Sequence, residues 1–122
     1  MRNKTRRAIR MMERVISHMR HSTSLMERYL NIRPMLDSAA LPPEDIRRAE
    51  ECVAAMHAMA PQLDLLRLRF DHAMEEALEA WSAGRERCPR RKFLTLRSLW
   101  EQAQAKYHTV NERATKEAPD VH

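Results

Sequence analysis

The side chains that could do chemistry in this 122-residue chain are two cysteines, six histidines and a large surplus of arginine. Cys88 lies among Arg85, Arg87, Arg90 and Arg91, and cations at that distance favour a thiolate. Yet no histidine is near it in sequence to act as a base, and there is no Gly-rich phosphate loop and no paired-carboxylate arrangement. Cys52 falls on an apolar stripe and is expected to be buried and inert. A single glycine in the whole chain also argues against an enzyme, because tight active-site turns draw on residues with φ > 0. No catalytic residue is assigned, and the chain is read as non-enzymatic.

Metal chemistry fares no better. His18 and His21 are three residues apart, and His72 precedes Glu75 and Glu76 by three and four, spacings that share a helix face. A metal centre in a helical bundle needs Glu or His projected inward from several helices, commonly as Glu-x-x-His pairs, and the sequence contains no Glu-x-x-His. His57, with apolar neighbours, is expected to pack as a core histidine. Neither cysteine has a CxxC partner, so no zinc site or disulfide framework is suggested. No metal and no cofactor is expected.

What remains is charge. Arginine outnumbers lysine 18 to 4, and basic residues exceed acidic ones 22 to 17. The distribution is uneven: residues 1–33 carry a net +7, residues 34–83 a net −6 and residues 84–122 a net +4. Two clusters break a local rule. Arg2, Lys4, Arg6, Arg7 and Arg10 crowd the start of one predicted helix, and Arg85, Arg87, Arg90, Arg91 and Lys92 crowd the start of another, although the positive end of a helix macrodipole prefers acids. Such conflicts tend to mark function. Free N–H groups together with cations suit phosphate or a partner's carboxylates.

The elements that position these groups follow from apolar periodicity. Ile9, Met12, Ile16, Met19, Thr23, Met26 and Leu30 alternate three and four residues apart, and Ala8, Met11, Val15, Leu25, Tyr29 and Ile32 widen the stripe. Helix 1 is therefore expected over about residues 3–32, packed against two neighbours. The Arg33-Pro34 step should end it, since the residue before proline is pushed out of the α region. Pro43, Glu44 and Asp45 mark the start of helix 2. Its stripe reads Ile46, Ala49, Val53, Met56, Ala60, Leu63, Phe70, Met74, Ala77 and Trp81. It keeps phase through Pro61, so helix 2 is expected to reach about residue 83, kinked at Pro61 or broken there into two. Gly84 is a C-terminal stop. Helix 3, about residues 89–116, carries Phe93, Leu96, Trp100, Ala103, Tyr107, Val110 and Ala114 as its seam, with a frayed tail over 117–122.

The fold expected is all-α: one domain of three long amphipathic helices in an up-down-up bundle or coiled-coil-like arrangement, with a four-helix variant if Pro61 breaks helix 2. In the up-down-up form helices 1 and 3 run parallel and the ten cations gather at one pole. In the four-helix form they separate. The function that follows is a helical interaction protein, an adaptor, regulator or inhibitor, binding an acidic protein surface through its Arg-rich pole and an exposed helical seam. A nucleic-acid-binding accessory protein using the arginines on phosphates is the alternative, without a helix-turn-helix. A peripheral membrane binder using the basic amphipathic helix 1 is the third reading. No segment reaches the ~20 apolar residues of a membrane span, and a cytoplasmic location is expected. Residues 1–26, Arg-rich with Glu13 as their one acid, also have the composition of a mitochondrial presequence. Wide stripes that include Trp81 and Trp100 lead to an expectation of self-association, as a dimer.

Overall fold

A computed structural model of the chain describes residues 3–36 and 41–116; for residues 32, 35, 36, 56, 59–61 and 115 it defines only the helical path. The described residues are helical apart from short connections and contain no strand: α1 spans Asn3–Leu36, α2 Pro43–Ser82 and α3 Arg90–Lys116.

Helix α1 is the hub. All seven residues of its expected seam, from Ile9 to Leu30, are buried, and so are Ala8 and Val15 beside them. An apolar arc this broad serves two neighbours, and α1 packs along both α2 and α3. Thr23 sits in the seam at no cost in unpaired polarity, because its hydroxyl donates to the Met19 carbonyl at 2.9 Å. The helix continues past Pro34 to Leu36 rather than ending at Arg33-Pro34. The proline gives up the bond that an N–H at that position would make to the Leu30 carbonyl, but it does not stop the helix. Met12, Val15, Met19 and Leu30, with Phe70 of α2, are almost wholly enclosed, each contributing on the order of 1.5–3 kcal/mol relative to an exposed side chain.

The direction of the helices is read from their cross-links. Lys92 reaches Glu13 at 3.9 Å and Lys106 reaches Glu27 at 3.2 Å. Both pairs are separated by the same stretch of chain, so α1 and α3 run parallel and in step. The pairs Trp81–Thr5 and Trp81–Phe93 show α2 antiparallel to both. Small side chains at Ala73, Ala77 and Ala80 line the buried face of α2, which lets it lie close to α1. Against α3 the spacing differs: among the described residues no Cα of α2 comes within 8 Å of one in α3. Rings fill the gap. Phe70 stacks on Trp100 at 4.6 Å, and Trp81 meets Phe93 edge-on at 5.0 Å.

The stripe on α2 differs from the expected one. Its enclosed residues are Ala49, Leu63, Leu66, Phe70, Ala73, Ala77 and Ala80; Ile46 is 41% exposed and Val53 and Met74 are only half-buried. The reason is a phase ambiguity: α2 is apolar over so much of its circumference that two neighbouring lines fit the same spacing. Met56 and Ala60 of the expected stripe lie outside the described side chains. On α3, by contrast, Phe93, Leu96, Trp100, Ala103 and Val110 are buried, with Tyr107 and Ala114 packed beside them.

Candidate interaction pole

The pole is built around the turn from α2 to α3. Gly84 adopts φ +70, the left-handed conformation glycine takes most readily. Its N–H donates to the Trp81 carbonyl at 3.1 Å and the Arg85 N–H to the Ala80 carbonyl at 3.0 Å, the paired bonds of a Schellman ending. This holds Arg85, Glu86 and Arg87 against the end of α2. The Glu86 carboxylate then accepts a 2.9 Å bond from the Thr5 N–H in the first turn of α1, and the Trp81 indole N–H donates to the Thr5 hydroxyl at 2.9 Å. Thr5 is fully buried by these contacts.

These bonds change the expected chemistry of the pole. The start of α1 was expected to offer free N–H groups to an external anion; one of them, that of Thr5, is taken by Glu86 from within the chain. The positive character of this end therefore comes from side chains. Glu86 and Thr5 are the residues that sequence reasoning missed. Their types are unremarkable, and they meet across 81 residues of chain, so no local signal could have found them.

Of the ten cations assigned to the pole, Arg2 lies outside the described residues. Arg6, Arg7, Arg10, Arg85, Arg87, Arg90, Arg91 and Lys92 are exposed, and Lys4 is half-buried. The parallel register of α1 and α3 brings them to one end of the molecule, but not as a ring at its tip. Lys92 is level with Glu13, so the start of α3 lies beside the third turn of α1, and the cations form a band roughly 15 Å deep at 1.5 Å per residue. Around the band, Arg6 and Arg10 share the edge of α1 that carries Glu13 and faces α3. Arg90 lies on the opposite edge of α3, toward α2, one turn before Leu94.

The histidines and cysteines are scattered. His57 is exposed, not packed in the core: it lies off the buried line of α2. His72 pairs with Glu76 of its own helix at 3.1 Å. Cys88 is exposed, and Cys52 is half-buried rather than enclosed. Cys52 lines an open groove of about 640 Å³ between α1 and α2 with His21, Leu25, Arg28, Arg48, Glu51 and Ala55. Among the described residues no three His, Cys, Asp or Glu side chains are grouped to hold a metal ion, and no helix is long and apolar enough to cross a membrane.

At the far end of the α2–α3 seam, Arg67 comes within 3.4 Å of His108 Nε2 and 4.0 Å of Asp64, and its buried Nε has no hydrogen-bond partner among the described residues. Burial raises the Tyr107 pKa, partly offset by Arg67 and reinforced by Asp64. No family model, no curated protein sequence and no solved structure matches this chain.

Proposed function

We propose that this protein is a non-enzymatic helical interaction protein, an adaptor, regulator or inhibitor acting in the cytoplasm, whose Arg-rich pole binds an acidic surface on a larger protein. The observation that carries the reading is the in-step parallel pairing of α1 with α3, through Lys92–Glu13 and Lys106–Glu27, which puts two basic helix starts and the basic turn between α2 and α3 at one end. The reading takes the chain as an up-down-up arrangement of three helices with α2 one element kinked at Pro61.

Two features favour a protein over nucleic acid. The aromatic rings near the pole, Trp81 and Phe93, are turned into the seam against each other and offer no stacking platform for bases. The exposed Leu78 and Leu94 supply apolar area close to the cations, as at a protein interface where a desolvated centre carries the affinity and rim charges set the association rate.

The test is a binding titration at several salt concentrations, using the acidic protein captured from the native host, on the wild type and on a triple reversal Arg7→Glu, Arg90→Glu, Arg91→Glu. The reversal should weaken binding at least tenfold while the melting temperature stays level or rises slightly, because acids suit helix starts. A log–log salt slope near −0.9 per neutralised phosphate on duplex DNA would instead assign the pole to nucleic acid. Unchanged affinity in a well-folded triple variant would reduce the pole to solvated surface.

A further inference from the structure

The exposed large apolar side chains among the described residues, Ile46, Leu65, Leu68, Leu78 and Leu94, all lie on α2 and α3. None lies on α1. Two of them, Leu78 and Leu94, flank the α2–α3 seam. On α2 one edge reads Asp64, Arg67, Asp71, Met74, Leu78, Trp81, alternating three and four residues; on α3 the facing edge reads Arg90, Leu94, Arg97, Glu101, Gln104, His108. The two rows meet at Arg67–His108, and Trp81 of the α2 row meets Phe93, which lies just inside the α3 row. Leu94 precedes His108 by fourteen residues, as Asp64 and Arg67 precede Leu78 and Trp81, two heptads in each case. Leu94 therefore stands to Leu78 and Trp81 as His108 stands to Asp64 and Arg67. Leu78 is 43% and Leu94 51% exposed, and together they form an apolar saddle over the half-buried Trp81.

Charge divides this saddle along its length. On the α2 side of it stand Asp71, Glu75 and Glu79, and on the α3 side Arg90, Arg91 and Arg97; Lys92 turns instead to Glu13 of α1 and Glu76 to His72 of its own helix. Asp71, Glu75, Glu79, Arg90 and Arg91 make no ion pair among the described residues. A partner of one sign would satisfy only half of such a face.

We propose that this face binds a second copy of the chain, related by a two-fold axis running along the bundle. That operation lays α2 of one copy on α3 of the other at the same height, so Leu78 meets the partner copy's equivalent of Leu94 and the acidic strip meets the basic one. A two-fold across the bundle would set α2 on α2, acid against acid, and is disfavoured. The level that pairs Trp81 with Phe93 brings Glu75 opposite the neighbourhood of Arg97. Arg97 has only an exposed 4.0 Å contact with Glu101 to give up, a pair of little worth. The dimer takes up Leu78, Leu94 and Arg90 of the pole proposed above and leaves the edge of α1 that bears Arg6 and Arg10 open, so a second copy and the acidic partner compete for part of one surface, while dimerisation itself does not rest on that function.

Sedimentation velocity at micromolar concentration tests this directly. The wild type should show a concentration-dependent species of twice the 14.4 kDa chain mass. Leu78→Gln with Leu94→Gln should be monomeric with an unchanged helical spectrum, since both positions are exposed. Glu75→Arg alone should weaken the dimer at least tenfold, and Glu75→Arg with Arg97→Glu should restore it, which a merely unfolded variant would not do. A monomeric wild type, a dimer indifferent to the leucine pair, or a charge swap that fails to restore association overturns the proposal.

Discussion

Folding changes the ionisation of the Tyr107 phenol. Burial at the α2–α3 seam disfavours the phenolate, and its pKa rises although Arg67 pulls the other way. The folded form thus holds its proton at a pH where the unfolded chain has begun to lose it. Stability contributed here is fully present below the ordinary tyrosine pKa of about 10 and is lost as pH rises from there through the folded value. Denaturant midpoints measured across that alkaline range should fall for the wild type and fall less for Tyr107→Phe, lysine titration being common to both. Equal slopes would show that the ring is solvated in the folded state. The residue scale also holds the contact hardest to foresee: Glu86, an acid in a basic turn, takes the Thr5 N–H in the first turn of α1. Its carboxylate does for α1 what a side-chain cap usually does from the preceding residue, but from the other end of the sequence.

At the scale of elements, the turn between α2 and α3 governs where the cations point. Gly84 has nothing within 4 Å of an added Cβ, so Gly84→Ala isolates the backbone cost of its positive φ, roughly 1–2 kcal/mol. Thermal melts should show that loss, with Gly84→Asn losing less because asparagine tolerates the left-handed region. A full-strength Gly84→Ala protein would mean that the Schellman ending rearranges freely. Much at this scale was legible beforehand. The seams of α1 and α3 and the proline–acid start of α2 follow from spacing and capping chemistry, because a helix that must bury one stripe writes that stripe into its sequence. The line on α2 was not, since an alanine-rich helix with leucines outside its buried face satisfies more than one phase. Pro34 misled because the residue before a proline is disfavoured in the α region but not barred from it, and the helix runs on to Leu36.

For the whole molecule, the aromatic stack between α2 and α3 is the spacer that sets its width. Trp100→Ala should cost on the order of 3–5 kcal/mol in urea denaturation, far more than truncating the exposed Leu94, because α2 and α3 have no close backbone approach to fall back on. A loss under about 1 kcal/mol would show that the seam closes without its rings. The expected self-association needs a new basis for the same reason: Trp100 is buried and Trp81 half-covered within one copy, and the leucines left outside are different ones. The sequence by itself determined that the chain is helical, where α1 and α3 turn their apolar faces, and that cations crowd two helix starts, since periodicity and net charge are local sums over neighbouring residues. Only the tertiary structure decided that α1 and α3 lie parallel and in step, that Glu86 reaches the first turn of α1, and that Phe70 stacks on Trp100. Those are relations between residues far apart in the chain, fixed by packing two helices against α1 and by the width of the rings between them.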